Sequence, residues 1–253
     1  LKNLEDAPAA HAFHKTFRAL GESGFSASFR LYGHAGMNQR EARLFAQEHY
    51  TQARKIAMEA FKNHNWALAT SSLERVLILM RAAGRPEGME SILYAGAVAG
   101  REAGQLELAE RWASELVEFR KHQGASPVEK ADALYLRGII RSDMEKYDTA
   151  AEDLKQALDL YRQRDEVESL IKTSSQLGII QEHAGEYGEA LEMFRYSLRM
   201  QDRAGSAAGM AEQHRRIGRI YFKRLDQYAA ALEHFEKAEA LSREAGDMRL
   251  LSL

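Results

Sequence analysis

SLIKTSSQLGIIQEHAGEYGEALEMFRYSLRMQDRAGSAAG, running from Ser169 to Gly209, is the stretch from which the rest of the chain can be read. Within it Leu177-Gly178, Gly185-Glu186-Tyr187, Ala190, Phe194 and Gly205 stand at steps that recur along the sequence. With Gly178 as the mark, Gly218 lies one interval downstream, and Gly138, Ala97 and Ala57 lie upstream. In chain order the spacings are 40, 41, 40 and 40 residues, and all five residues are small. Nine residues past the marks come Trp66, Leu106, Tyr147 and Tyr187, with Tyr228 ten past the last. Twelve past come Ala69, Ala109, Ala150 and Ala190; Ala231 is at thirteen, because the final unit has one extra residue in its turn. Such an interval marks stacked helix-turn-helix units, each burying its apolar face on the next.

Each unit has the pattern of two amphipathic helices. In the third, Leu134, Gly138 and Ile140, then Ala150, Leu154, Ala157, Leu158 and Tyr161, follow steps of three and four that place them on buried stripes. The small residue at the mark is where the two helices come close, so a large side chain at Gly138, Gly178 or Gly218 should overpack the contact. The second helices should end near Gly84, Gly124, Gly205 and Gly246, where a left-handed residue closes the helix, with Asp165 in that slot of the third unit. Gly96, Gly100 and Gly104, four apart in the second unit, read as a tight helix contact, with a flexible point as the alternative. Asn38 followed by Glu41 reads as the start of a long helix that meets no breaker before Asn63.

These units resemble tetratricopeptide repeats of a long form. The spacing large-x2-Leu-Gly-x2-Tyr followed by Ala-x3-Phe appears as Ser174, Leu177, Gly178 and Gln181 with Ala190 and Phe194, where Ser and Gln replace the large residue and the Tyr. It recurs as His214, Ile217, Gly218 and Tyr221 with Ala231 and Phe235. No unit has Trp at the first position, and the closing Pro is absent. The resemblance covers residues 47–253. It implies an all-α, right-handed superhelical solenoid of five helix pairs, in units of about 47–86, 87–127, 128–167, 168–208 and 209–248. Residues 1–37 depart from the interval and are expected to be an N-terminal helical cap or arm, leaving 38–253 as the solenoid.

The resemblance also implies where a partner binds, since in such proteins the first helices line a concave groove. Carried over by position, the residue after the mark is Met58, Val98, Ile139, Ile179 or Arg219, and three before it stands Arg54, Tyr94, Tyr135, Ser175 or Arg215. Further out lie Arg101, Asp143, Lys172, His183 and Lys223. An apolar and aromatic floor with charged banks suits an amphipathic helix or extended peptide; the competing occupant is a segment of the chain itself, such as residues 1–37. Relatives that clamp a C-terminal carboxylate carry an Asn after the mark, and no unit here has it.

Arg215, Arg219 and Lys223, spaced by four with Arg216 and Arg224 beside them, form a cationic ridge suited to an acidic peptide. Its counter-reading is pairing with Glu182, Glu186 and Glu212. Net charge of -2 and the lack of interleaved aromatics speak against nucleic acid. No apolar run approaches the roughly 18 residues of a membrane span. Zero cysteines exclude disulfides and fit a reducing, cytoplasmic compartment. Phosphate-binding, dinucleotide, serine-hydrolase and zinc-protease motifs are absent, and His11 with His14 lacks further ligands, so no enzyme, metal or cofactor is expected. The reading is a protein-interaction scaffold; its alternative is a ligand- or peptide-sensing regulatory part of a larger bacterial protein. Leu1 in place of Met suggests a fragment. The apolar start Met248-Arg249-Leu250-Leu251 after Gly246 leads us to expect further repeats, or self-association there.

Overall fold

The computed structural model describes residues 39–83 and 87–246. The N-terminal cap, the cap at Asn38, the turn at Gly84, the histidines at 11 and 14 and the helix start after Gly246 lie outside the described residues. Within them are ten α-helices and no strand: α1 (Gln39–Lys62), α2 (Trp66–Ala83), α3 (Met89–Glu102), α4 (Leu106–His122), α5 (Pro127–Asp143), α6 (Tyr147–Arg162), α7 (Val167–Ala184), α8 (Tyr187–Arg203), α9 (Ala207–Arg224) and α10 (Tyr228–Glu244). They belong to two compact units divided inside α4, between Leu116 and Val117.

In the first unit α1 packs on α2 and α2 on α3. The marks Ala57 and Ala97 are buried, as are Leu77, Met80, Leu93 and Trp112. The glycine pattern of α3 is only partly a contact stripe. A Cβ on Gly96 would stand 2.5 Å from the Trp112 ring, and one on Gly100 would stand 3.2 Å from Ala109 Cβ, so both admit the second helix. Gly104 is not on the helix at all: α3 stops at Glu102, and Gly104 forms the turn with φ 72°. Close approach, not a hinge, accounts for the first two.

In the second unit the helices pair as α5 with α6, α7 with α8 and α9 with α10, and the pairs join through α6–α7 and α8–α9. All eight apolar-face residues read in the third repeat are buried. The marks fit the close-approach expectation: a Cβ on Gly178 would lie 2.7 Å from the Phe194 ring, and one on Gly218 2.8 Å from that of Phe235. Helix α5 begins in a capping box. Ser126 Oγ accepts from the Glu129 backbone N–H at 3.3 Å, and Glu129 accepts from the Ser126 N–H at 2.7 Å. Pro127 supplies a helical φ where no N–H is needed.

The interval reappears in the backbone. Left-handed residues close the second helices at Gly124, Asp165, Gly205 and Gly246. A second series, glycine at only two of its five places, occupies the turn inside each unit: His64, Gly104, Glu145, Gly185 and Asp226. The first four stand seven past their marks and Asp226 eight past, so the extra residue of the last unit is absorbed in the turn and α10 keeps its face.

Candidate functional site

In the first unit, the expected groove residues Arg54 and Met58 on α1 are exposed, Met58 by 62 %, and Tyr94 on α3 is exposed by 43 %. Val98 is half-buried, and Arg101 lies 3.4 Å from Glu102. Ile56 and Leu68 are also exposed in this unit.

In the second unit the first helices are α5, α7 and α9. Tyr135 on α5 is half-buried and packed against two core clusters, one holding Leu158 and Leu170 and the other Leu154 and Leu177. Ile139 is buried and offers a partner little surface. On α7, Lys172 reaches the Glu168 carboxylate at 2.7 Å, which draws the lysine pKa up from its ordinary value. Ile179 is half-buried against the cluster of Phe194 and Ile217. The apolar positions after the mark thus range from open Met58 to buried Ile139.

The cations of α9 separate into three kinds. Arg215 lies 2.5 Å from Glu212, and Arg219 reaches back to Glu182 on α7 at 3.0 Å. Arg216, which stands beside the ridge in sequence, belongs to the interior side. It is 5.9 Å from the Phe194 ring and 2.8 Å from Glu212, and burial pushes its pKa down from the ordinary arginine value. Arg224 stands over the Tyr187 ring at 5.6 Å. Lys223 is exposed and makes no ion pair among the described residues. The counter-reading of the ridge is therefore half met: two carboxylates, Glu182 and Glu212, face five cations. Phe222, absent from the expected set, is 49 % exposed next to Lys223 and meets Tyr228 edge-on at 5.7 Å.

Other polar groupings serve the fold. Asp153 on α6, 2 % exposed, takes Arg137 at 2.6 Å and Arg141 at 2.9 Å from α5. His214 on α9 and His234 on α10 face each other with Nδ1 atoms 2.8 Å apart. A polar recess of about 500 Å³ opens at the α5–α6 turn, lined by Glu145, Lys146, Tyr147, Asp148 and Thr149 with His183 and Ala184. There Glu182 is tied to Arg219 and His183 meets the Tyr147 ring edge-on at 5.7 Å, so the two do not form an acid–base pair. Among the described residues no cluster of three or more His, Cys, Asp or Glu is placed to hold a metal ion, and no helix is long and apolar enough to cross a membrane.

Residues 129–203 match the family model for the tetratricopeptide repeat. Comparison with curated protein sequences finds no match. Among solved structures, aspartyl phosphate phosphatase F from Bacillus subtilis is similar with a TM-score of 0.67 and 15% identity, over 98% of this chain and 68% of that one. The putative kinesin light chain of Podosopora anserina, described as having nearly identical TPR-like repeats, gives 0.66 at 16% identity, over 78% and 96%. MamA from Desulfovibrio magneticus RS-1, residue 41 to the end, gives 0.56 at 17% identity, over 77% and 96%. At these identities the likeness is one of fold, an all-α solenoid of helix-turn-helix repeats.

Proposed function

We propose, from the premise that this chain carries tetratricopeptide repeats, that it is a protein-interaction scaffold whose first helices bind an acidic, amphipathic peptide or helix. The observation that carries this reading is the surplus of positive charge on α9, with exposed Phe222 beside unpaired Lys223. A carboxylate-rich helix gains charge-assisted contacts from Arg215, Arg219 and Lys223 and an aromatic surface from Phe222. In the same reading Lys172, Tyr135 and Ile179 extend the surface along α5 and α7, while Arg54, Met58, Tyr94, Val98 and Arg101 offer a second surface in the first unit. A cytoplasmic setting agrees with the absence of cysteine.

The test is fluorescence anisotropy with a labelled Glu/Leu-rich helical peptide across a salt series, using the wild type and the Arg215→Glu/Lys223→Glu double variant. Both changes are at partly or fully open positions, so the variant should stay within about 1 kcal/mol of wild-type stability. Salt-sensitive binding that the variant loses supports the reading. Equal binding by both proteins, or binding indifferent to salt, overturns it.

A second reading, a ligand- or peptide-sensing regulatory part of a larger bacterial protein, is favoured by the fold likeness to the Bacillus subtilis phosphatase over 98% of this chain. Ligand binding should then change the small-angle scattering of the chain. Unchanged scattering with a bound peptide counts against it.

A further inference from the structure

Two imidazoles from different helices meet inside the last helix pair. His214 of α9 and His234 of α10 are both half-buried, and their Nδ1 atoms lie 2.8 Å apart. The ring centroids are 5.0 Å apart with 41° between the planes, so the rings meet nearly end to end. The repeat does not demand histidine at either place. Counted from the marks, the equivalent residues are Leu93 and Trp112 in the second unit, Leu134 and Asp153 in the third, and Ser174 and Met193 in the fourth.

The separation of the two nitrogens carries a preference among ions. Two imidazole nitrogens bound at a right angle through bonds of about 2.0 Å stand about 2.8 Å apart, whereas the tetrahedral angle of a zinc site sets them about 3.3 Å apart. The observed 2.8 Å matches the right angle. As it stands, the contact is a hydrogen bond in which one Nδ1 carries the proton. Moving that proton to Nε2 of the same ring leaves both rings neutral and frees both Nδ1 lone pairs, and a small turn of each half-buried ring aims them at one ion. The cations that bear on the pair are engaged elsewhere: Lys237 lies 2.5 Å from Glu233, and Arg195 of α8 donates at 2.6 Å to the hydroxyl of Tyr221, whose ring is 5.7 Å from that of His234. Burial, ahead of these charges, holds both imidazoles below the ordinary histidine range, in the uncharged form that ligates.

We propose that His214 and His234 together bind one divalent transition-metal ion of right-angled coordination, Ni²⁺ or Cu²⁺, through their Nδ1 atoms, with water in the remaining positions. Two imidazoles without a carboxylate select against Mg²⁺ and Ca²⁺, which take oxygen ligands. Because one ligand stands on α9 and the other on α10, the ion bridges the two helices. The site does not depend on the acidic partner proposed for the α9 cation row.

The experiment is equilibrium dialysis of the 253-residue chain against Ni²⁺, as wild type, His214→Gln and His234→Gln, with circular dichroism confirming that each variant is folded. The wild type should hold one Ni²⁺ per chain more than either variant. His11 with His14 and the other histidines are common to all three proteins and cancel in the comparison. With Cu²⁺ as the second probe, the electron paramagnetic resonance difference between wild type and variant should show an ion with two nitrogen ligands. Equal metal content in all three proteins, an adventitious ion only, overturns the proposal. A further measurement needs the wild type alone. At a free Ni²⁺ concentration tenfold above the dissociation constant, amide exchange in α10 should slow by about tenfold, because opening the α9–α10 pair breaks the site. Ni²⁺ binding that leaves exchange in α10 unchanged also overturns it.

Discussion

Arg219 on α9 donates to Glu182 on α7 at 3.0 Å, and the two members of this pair are unequally placed: the Arg219 side chain is 41% exposed and the Glu182 side chain 10%. Removing one is therefore unlike removing the other. Arg219→Leu leaves a nearly buried carboxylate without its cation and should cost about 1–3 kcal/mol, read from the denaturant midpoint. Glu182→Gln leaves a solvated guanidinium and should change stability by less than about 1 kcal/mol. The same Gln variant raises the surplus charge of α9, so it should bind the acidic peptide more tightly, with a steeper salt dependence.

Two glycines ten residues apart, Gly178 and Gly188, answer the same substitution with opposite signs. At Gly178 a new Cβ meets the Phe194 ring at 2.7 Å, and that ring is fully buried. Overpacking of about 1–3 kcal/mol should outweigh the helix-propensity gain of about 1 kcal/mol, so Gly178→Ala lowers the melting temperature. At Gly188, on the first turn of α8, nothing lies within 4 Å. Gly188→Ala should stabilise by about 0.5–1 kcal/mol, measured by the same melt.

The His214–His234 contact predicts a pH response. Burial first, then the charges of His234 and Lys237, push the His214 pKa down to about 4, with Glu233 opposing. His234 is pushed down by burial, Lys237 and Arg195, again against Glu233. The unfolded chain, with histidine near about 6.5, binds protons that the folded chain resists. The contribution is thus fully present above about pH 6.5 and is lost as pH falls towards 4. Because both rings are partly open to water, it should amount to about 1–2 kcal/mol. His214→Leu should flatten the fall in urea midpoint between about pH 6.5 and 4 relative to the wild type; parallel curves would refute the assignment.

Glu145 has φ 60° in the turn where Gly185 serves the next unit. Relief of its left-handed strain should exceed the entropy glycine adds to the unfolded chain, so Glu145→Gly should stabilise by about 0.5–1 kcal/mol in equilibrium unfolding. Asp165, with φ 52°, is a different case, since its carboxylate takes Arg203 at 2.8 Å. Asp165→Gly relieves strain and loses that pair, so its gain should be smaller than that of Glu145→Gly.

The repeat was legible because a small mark, an aromatic and an alanine return at fixed steps, and packing demands each of them. The closing slots at Gly124, Asp165 and Gly205 followed from the same ruler. The turn slots at His64, Glu145 and Asp226 escaped because no glycine flags them, although Gly104 and Gly185 at the same step were a sufficient signal. Asp153 escaped because a carboxylate on a buried stripe reads as a break in the pattern, and only the fold brings Arg137 and Arg141 to it. His214 and His234 are twenty residues apart, a distance that periodicity along one helix cannot bridge. Arg216 stands beside the ridge in sequence, and its surroundings followed only from the fold: four residues before buried Ile220, it shares the inward side of α9, not the face of Arg215 and Arg219.

Packing from each helix pair only to the adjacent pair has a consequence for how the second unit melts. With α10 covered on one side, the α9–α10 pair has the least holding it in place, and it should open before α5 to α8 do. Amide exchange should then be fastest in α10 and slow towards α7, and the thermal transition should be broad. Different probes in the second unit will report different midpoints, so the stability change of each substitution belongs to the helix pair that carries it and is read from a probe placed there.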